Sequence, residues 1–459
     1  MRFISKVLRW LLGFVAVALA GLALWLYLAP PSLIRVAAGY SAKIVCSNVF
    51  VAGRDAERVL ELDVQAPGHP ILKFIDVDVD RERRTVSAGL LGVFGRSIAV
   101  AHEGFGCATV ADGDLDAVPQ MPAVETPAAL TTGIWPDGIA VEPSQDPAVV
   151  KILDDKALTG PGMRAVVVVK NGRIVGERYG EGFTLKTPLL GWSMTKSVNA
   201  AIVGTAVKAG KLSLDKSPVF PSWAEETRAA IKVADLMAMS SGLEFNEDYG
   251  DVTDVTRMLY LEPDMAGFAE DKPAVAAPGT LFNYSSGTAV MLSRVWQDAI
   301  GAEALTWPRN ALFAPIGMTS AVLETDARGT FVGSSYLYAT ARDWARFGLF
   351  IEQDGVWNGT RILPEGFVSM MRAEAAASKG EYGQGQVWLH GPDAGTPPGE
   401  DPDRGFDLPD DTFWFLGHDG QSTAVIPSQR LVVVRLGLTP SKLGYKPQAM
   451  VAALAKALP

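Results

Sequence analysis

A serine and a lysine lie one helical turn apart at the start of an apolar segment. Ser193 and Lys196 occur in the sequence Gly-Trp-Ser-Met-Thr-Lys, and residues 197–207 after them are mostly small and apolar. Such a run predicts a buried helix that begins at or next to Ser193, with Lys196 on the same face. A lysine near a helix N-terminus and partly out of water has a depressed pKa, so it can accept the serine proton. The pair therefore predicts a nucleophilic serine that needs no histidine.

The pattern Ser-x-x-Lys is not specific by itself, because it occurs twice in the chain. The second copy, at residues 213–216, lies in a polar stretch before Pro218, where a turn is the better interpretation. The first copy is distinguished by two later segments. Residues 284–286 read Tyr-Ser-Ser, and residues 418–421 read His-Asp-Gly-Gln ahead of a strand-like run at 423–426.

In the order Ser-x-x-Lys, Tyr-x-Ser and His-x-Gly, the chain resembles the serine β-lactamase and penicillin-binding superfamily. Within it, the chain is similar to the class C β-lactamase-related hydrolases, notably esterases and hydrolases of the 6-aminohexanoate-dimer type. Ser286 stands where the class C pattern has an asparagine, and His418 stands where Lys-Thr-Gly has its lysine. Because that lysine helps to hold the carboxylate of a β-lactam, its absence weakens the case for β-lactam turnover.

The resemblance implies the catalytic roles. Ser193 would attack a carbonyl carbon and form an acyl-enzyme, while Lys196 and Tyr284 would share the proton. The sequence leaves open which of these two residues is the base. The oxyanion would accept hydrogen bonds from the backbone N–H groups of Ser193 and Gln421.

The resemblance also implies a substrate-binding set around the same cleft. Gly420 would let the backbone approach the substrate closely. His418 would donate a hydrogen bond to the substrate or to Tyr284. The residues expected to bind substrate or oxyanion are therefore His418, Gly420, Gln421 and Ser286.

These features predict a serine hydrolase that cleaves small esters or amides through an acyl-enzyme. A β-lactamase or D-alanyl carboxypeptidase acting on cell-wall peptides is one alternative, and a non-catalytic penicillin-binding-like ligand module is the second. The sequence contains no Gly-x-Ser-x-Gly segment, which argues against an α/β-hydrolase. Its four histidines are scattered and it has two cysteines, so neither a metal site nor a cofactor is expected. The net charge of −10 argues against nucleic acid as a partner.

The N-terminus predicts a membrane location. Residues 1–9 carry three basic side chains, and residues 10–29 are uncharged and long enough to cross a hydrocarbon core of about 30 Å. A cleaved signal peptide would have a shorter apolar core, although residues 18–20 fit a cleavage site, so an uncleaved signal anchor is preferred. The basic flank should stay in the cytoplasm. The chain is therefore expected to cross the inner membrane once, with its catalytic domain in the periplasm or outside the cell.

The two cysteines, Cys46 and Cys107, both lie in the part of the chain that should be exported. Since an oxidising compartment favours disulfides, a bond between them is the simplest prediction, and two unpaired buried thiols are the alternative. Closing a loop of that length would stabilise the fold by about 4 kcal/mol in the entropic account.

Composition divides the chain into five segments. Residues 1–9 form the basic flank and residues 10–29 the membrane anchor. Residues 32–115 contain alternating strand-like runs and predict a small β-rich region. Residues 116–148 are a proline-rich connector. Residues 149–459 are expected to form the β-lactamase-related serine hydrolase domain.

The hydrolase domain is predicted to be α+β, with a β-lactamase/transpeptidase-like antiparallel sheet flanked by helices. A Lys-Asn-Gly turn at residues 170–172 should join two of its strands. The strand-like runs at 423–426 and 431–436 should complete the sheet. Residues 446–458 are apolar at helical spacing and predict a terminal helix that packs on the sheet.

Overall fold

The chain folds into helices and antiparallel sheets. The computed structural model describes residues 2–124, 132–397 and 399–459. Its α-helices are α1 (Arg2–Leu28), α2 (Ser32–Phe50), α3 (Ala56–Val59), α4 (Pro147–Asp154), α5 (Lys156–Thr159), α6 (Met194–Lys208), α7 (Val233–Met237), α8 (Asp254–Leu261), α9 (Met265–Glu270), α10 (Ser286–Ile300), α11 (Ala341–Glu352), α12 (Phe367–Arg372) and α13 (Gln448–Ala457). Its strands are β1 (Ile75–Asp80), β2 (Thr85–Leu90), β3 (Phe94–His102), β4 (Gly106–Val110), β5 (Met163–Lys170), β6 (Arg173–Tyr179), β7 (Leu189–Leu190), β8 (Val322–Leu323), β9 (Leu337–Ala339), β10 (Val356–Trp357), β11 (Thr360–Arg361), β12 (Phe413–Gly417), β13 (Gln421–Ile426) and β14 (Leu431–Gly437).

A five-stranded antiparallel sheet in the order β12-β13-β14-β5-β6 forms the middle layer of the hydrolase domain. Side chains alternate along its strands, so the run of valines in β5 covers both faces. Val166 and Val168 pack with α4 and α13, whereas Val167 and Val169 belong to the larger core that contains α6 and α11. The helix α6, which starts beside Ser193, therefore lies against the sheet and is buried.

Two local predictions for this domain are confirmed. The strands β5 and β6 are joined by a tight turn in which Asn171 and Gly172 have φ values of 52° and 75°. Positive φ at both central positions matches the hairpin turn that an Asn-Gly pair favours. The terminal helix predicted over 446–458 is α13, which packs on the outer face of the sheet.

The N-terminal region contains the antiparallel sheet β1-β2-β3-β4 within its predicted β-rich segment. The region begins, however, with the helix α2, which the sequence analysis does not predict. Most of this helix is buried, because it lies between the small sheet and the hydrolase domain. A Cβ at Gly39 would lie 2.9 Å from the Cβ of Tyr260 in α8. A helix buried all round has no amphipathic period, which is the signal that sequence analysis uses.

The N-terminal region shares a continuous hydrophobic core with the hydrolase domain. A buried ion pair joins Lys43 of α2 to Glu324, which directly follows β8; their side chains are 1% and 0% exposed. The Glu324 carboxylate also accepts hydrogen bonds from the Ser47 hydroxyl, at 2.8 Å, and from the Cys107 N–H, at 2.7 Å. In the structure Cys107 is bonded to Cys46 by a disulfide. The two regions are thus packed as one unit around Glu324.

The remaining two segments are the N-terminal helix and the connector. The helix α1 is exposed and, over residues Lys6–Leu28, is long and apolar enough to be a membrane span or a signal sequence. Within the expected connector, 116–148, residues 125–131 lie outside the described residues. The described part of the connector contacts the hydrolase domain: the Arg346 guanidinium donates hydrogen bonds to the carbonyls of Pro136 and Gly138.

We expect Lys43→Ala to lower the free energy of unfolding by about 3–5 kcal/mol, because it leaves the Glu324 carboxylate buried without its counter-charge. Arg83→Ala is the matched control, since its ion pair with Asp80 is exposed and contributes at most about 1 kcal/mol. Urea denaturation followed by tryptophan fluorescence measures both variants. Equal stabilities would contradict a structural role for the buried pair.

Candidate active site

The nucleophile candidate lies at a sharp turn between β7 and α6. Ser193 is the N-cap residue of α6 and is half-buried. Trp192 before it has a φ of 48°, a left-handed conformation that is uncommon for a bulky residue and costs about 1–3 kcal/mol. Gly191 packs on Trp344, where an added Cβ would come within 2.1 Å of the indole ring. The strained turn presents the Ser193 hydroxyl to the cleft. The first N–H groups of α6 donate to the carbonyls of Gly191, Trp192 and Ser193.

Lys196 is buried beneath Ser193, and its ammonium group has three hydrogen-bond acceptors. It donates to Ser193 Oγ at 3.1 Å, to Ser286 Oγ at 3.0 Å and to the Ser334 carbonyl at 3.1 Å. Its residue is only 1% exposed. These three bonds match the three protons that a lysine carries. The structure thus brings Ser193, Lys196 and Ser286 together, as the sequence resemblance implies.

Glu247 is a site residue that the sequence analysis does not identify. Its carboxylate accepts a hydrogen bond from the Ser286 N–H at 2.7 Å and another from the Ser286 hydroxyl. Burial raises the pKa of Glu247, whereas the neighbouring Lys196 and the bonds from Ser286 lower it. The residue belongs to a loop with several acidic side chains, and nothing in a single sequence distinguishes it from its neighbours Glu244 and Asp248.

Ser286 therefore connects the buried lysine to a carboxylate. Burial lowers the pKa of Lys196 to about 8, and the charge of Glu247 opposes this effect. At a pKa near 8, about one tenth of the lysine is neutral at pH 7. A neutral amine within hydrogen-bond distance of Ser193 Oγ can accept its proton.

The ring of Tyr284 packs against the Lys196 ammonium group. The lysine Nζ is 4.6 Å from the centre of the Tyr284 ring, which packs against Tyr382 and Trp388. Burial raises the pKa of Tyr284 and the charge of Glu247 adds to the rise, whereas a hydrogen bond with Ser193 opposes it. A phenol with a raised pKa stays protonated, so in this arrangement Tyr284 is a proton donor and Lys196 is the better base.

The segment 418–421 forms the turn between β12 and β13 at the rim of the same cleft. The His418 ring stacks on Tyr249, with ring centres 4.8 Å apart, and meets the edge of Trp192 at 5.6 Å. Among the described residues His418 makes these ring contacts and no hydrogen bond to Tyr284, so a hydrogen bond to the substrate stays a prediction. The side chain of Gln421 is buried and bonds to the Gly437 backbone, with its amide donating at 2.6 Å.

The glycine expected to approach the substrate lines the cleft, and its role toward the substrate stays a prediction. Gly420 has a φ of 80°, and an added Cβ would meet Arg435 and Thr439 at 3.0 Å, so this glycine is required by the turn. Gly417 is the glycine that approaches the nucleophile segment, because an added Cβ would lie 2.2 Å from the Gly191 carbonyl oxygen. The end of β12 and the turn before Ser193 are thus held in direct backbone contact.

The cleft above Ser193 has a volume of about 1140 Å³ and an acidic lining. Its carboxylate side chains are Glu247, Glu381, Asp393, Glu400, Asp401, Asp403, Asp410 and Asp419. Among the described lining residues, Lys379 alone carries a permanent positive charge. The cleft should therefore attract cationic substrates, admit neutral ones and repel anionic ones.

Within residues 2–124, 132–397 and 399–459, no group of three His, Cys, Asp or Glu side chains is arranged to hold a metal ion. A helix that starts at a serine, carries a buried lysine one turn later and lies against an antiparallel sheet defines the penicillin-binding class of serine hydrolases. The β-lactamase family model matches residues 155–449, more than half of the chain. The chain therefore belongs to the β-lactamase family.

Individual relatives are distant. The 6-aminohexanoate-dimer hydrolase of Paenarthrobacter ureafaciens is 22% identical over 302 residues, which cover 60% of this chain and 72% of the relative. A Bacillus anthracis structure, provisionally assigned as a 6-aminohexanoate-dimer hydrolase, has a TM-score of 0.55 at 23% identity and covers 70% of this chain and 88% of its own. A family VIII carboxylesterase has a TM-score of 0.50 at 15% identity, and the match covers 70% of this chain and 98% of the carboxylesterase. At such identities the solved structures establish the shared fold.

Deprotonation of Lys196 should govern the pH dependence of ester hydrolysis. We expect kcat/KM for p-nitrophenyl acetate to rise with pH, with a midpoint near 8, because only the neutral amine accepts the serine proton. Glu247→Gln removes the charge that raises the lysine pKa, so its midpoint should move to lower pH. Glu244→Gln, which changes an exposed carboxylate of the same loop, should leave the midpoint in place. A midpoint near 10 or above would assign the base to another group.

Proposed function

We propose that the protein is a membrane-anchored serine hydrolase that cleaves small esters or amides through an acyl-enzyme on Ser193. The observation that carries the proposal is the 3.1 Å hydrogen bond between Ser193 Oγ and a buried lysine whose pKa is lowered to about 8. A lysine with an ordinary pKa would be almost fully protonated at neutral pH and unable to accept a proton. The buried lysine is therefore suited to activate the serine.

In the acylation step, Ser193 Oγ bonds to the carbonyl carbon as its proton passes to Lys196. The bond to the alcohol or amine leaving group then breaks, and the leaving group receives a proton from Lys196 through the hydroxyl of Tyr284. Water attacks the resulting ester in the reverse sense and releases the acid. The backbone N–H groups of Ser193 and Gln421 would stabilise the oxyanion in both steps.

The acidic cleft supports an esterase or amidase over the alternatives. Penicillins and the C-terminal ends of cell-wall peptides both carry a carboxylate, and a cleft lined by carboxylates repels them. His418 replaces the lysine that holds such a carboxylate in the class C pattern, and its ring is stacked on Tyr249. A non-catalytic module would not need the bond between Ser193 and Lys196. The names of the Paenarthrobacter relative and of the carboxylesterase agree with this preference.

The location proposed for the enzyme is the inner membrane, with a single span at residues 10–29 and the catalytic domain in the periplasm or outside the cell. The exposed apolar helix α1 and its basic N-terminal flank support this topology. The disulfide between Cys46 and Cys107 agrees with an oxidising compartment. No cofactor, metal or nucleic acid is part of the proposal.

Ser193→Ala should abolish turnover of p-nitrophenyl acetate while leaving the fold intact, because only the nucleophilic oxygen is removed. Intact-protein mass spectrometry after exposure to a fluorophosphonate should show one adduct in the parent enzyme and none in this variant. Ser213→Ala, at the second Ser-x-x-Lys copy, is the control and should label fully. Full activity of Ser193→Ala would refute the assignment of the nucleophile.

Substrate charge should alter binding at low salt. Among p-nitrophenyl esters of similar length with trimethylammonium, methyl or carboxylate ends, we expect the carboxylate ester to have the lowest kcat/KM, by at least about tenfold. Because salt screens such forces, the difference should shrink in 0.5 M sodium chloride, where the Debye length is about 4 Å. Steady-state kinetics measure all three esters. A preference for the carboxylate ester would instead favour a penicillin-recognising enzyme.

A further inference from the structure

An apolar cavity of about 170 Å³ lies between the N-terminal region and the active-site cleft. One wall is the first two turns of α2, which contribute Leu33, Val36, Ala37 and Tyr40. These positions are spaced i, i+3, i+4 and i+7, so they form a stripe about 10 Å long on one side of the helix. One water needs only about 10–15 Å³, so the cavity has room for a larger apolar group.

The cavity adjoins the catalytic cleft. Tyr249, His418 and Asp419 line both spaces, so their side chains are the partition between the cavity and the cleft that contains Ser193. Trp192, the residue before the nucleophile, also lines the cavity. The His418 side chain, which stacks on Tyr249, is 41% exposed. This part of the partition is therefore a partly exposed side chain and not buried backbone. A chain bound in the cavity would therefore end beside the reacting serine.

The α2 wall of the cavity begins near the end of the apolar helix α1. Leu33 is five residues after Leu28, at which α1 ends, so the two are at most about 18 Å apart. Gly95, in the small sheet, packs against Pro30 and Ile34, where an added Cβ would come within 3.3 Å and 2.8 Å. This contact places the turn between β2 and β3 beside the helix end.

That turn carries exposed apolar side chains. Leu91 and Val93 are 59% and 50% exposed, and Phe74, whose carbonyl accepts a hydrogen bond from the Leu91 N–H, is 60% exposed. Exposed apolar groups that cluster beside a membrane-type helix are typical of a surface that contacts lipid. The cavity therefore adjoins the cleft that contains the catalytic serine, and its α2 wall begins close to a surface suited to the bilayer.

We propose that this cavity binds the acyl chain of an ester substrate that resides in the membrane. The proposal rests on the hydrolase function of Ser193 and names its substrate class. The ester carbonyl would lie at Ser193, the acyl chain would pass the Tyr249 and His418 rings into the stripe on α2, and the alcohol would leave through the acidic cleft. Each methylene that leaves water in such a cavity strengthens binding by about fourfold.

The first test measures chain-length preference in the full-length protein reconstituted in phosphatidylcholine nanodiscs. We expect kcat/KM to increase at least tenfold from the acetyl to the octanoyl p-nitrophenyl ester. Leu33→Glu, which puts a charge into the cavity, should reduce the octanoyl-to-acetyl ratio at least fivefold. Leu185→Glu, which changes an exposed leucine outside the cavity, should keep the ratio within twofold.

The second test identifies where the chain binds. A fluorophosphonate with a ten-carbon chain ending in a diazirine reacts with Ser193 by displacing fluoride, and irradiation then cross-links the chain end to its neighbours. Peptide mass spectrometry should find cross-links within residues 33–40 or 67–72. Cross-links confined to residues 390–410 of the acidic cleft would overturn the proposal.

The outcomes separate the two proposals. If acetyl ester is not hydrolysed and Ser193 takes up no phosphonate, the hydrolase function itself fails. If hydrolysis depends on Ser193 but kcat/KM is flat or falls with chain length, the hydrolase stands and the acyl-chain site is wrong. A chain-length preference that Leu33→Glu does not reduce would also overturn the site, because the chain would then bind elsewhere.

Discussion

The buried ammonium of Lys196 is the constraint on which the catalytic cleft depends. A charge taken out of water must be hydrogen-bonded, and here the three acceptors come from Ser193 at the start of α6, Ser286 at the start of α10 and the Ser334 carbonyl. These groups are far apart in the sequence, so the complete fold is needed to satisfy one side chain. Glu247 supplies the opposite charge through Ser286 without touching the nucleophile, which leaves the lysine able to lose its proton.

The N-terminal region supports this arrangement from the far side. Lys43 and Ser47 of α2 bind Glu324, whose backbone pairs with Tyr336 and Val332. Those two residues flank Ser334, so α2 is coupled through one carboxylate to the segment that presents a carbonyl to Lys196. The Tyr336 ring lies 4.0 Å from the Lys43 ammonium and packs near Trp192. The same helix is therefore linked, through Tyr336, both to the lysine-binding segment and to the turn that carries the nucleophile.

The sequence predicted the features that are encoded locally. Helical spacing places Ser193 beside Lys196, an Asn-Gly pair specifies the turn at 170–172, and the motif order indicates the family. It did not predict Glu247, because that carboxylate reaches Ser286 only when its loop folds over the start of α10. Nor did it predict the contact of Gly417 with Gly191, since that contact depends on the register of β12 and β13 and on the length of the turn between them. Residues buried on all sides, such as those of α2, give no periodic signal.

The shared core has a practical consequence for preparing a soluble enzyme. The family match begins at residue 155, but a chain cut there would lose α2 and the small sheet, and it would uncover the apolar surfaces of α8 and of the segment around Glu324. It would also leave that carboxylate without its lysine partner. A soluble form should therefore begin near Ser32, immediately after the apolar helix, so that the whole folded body of the protein is retained.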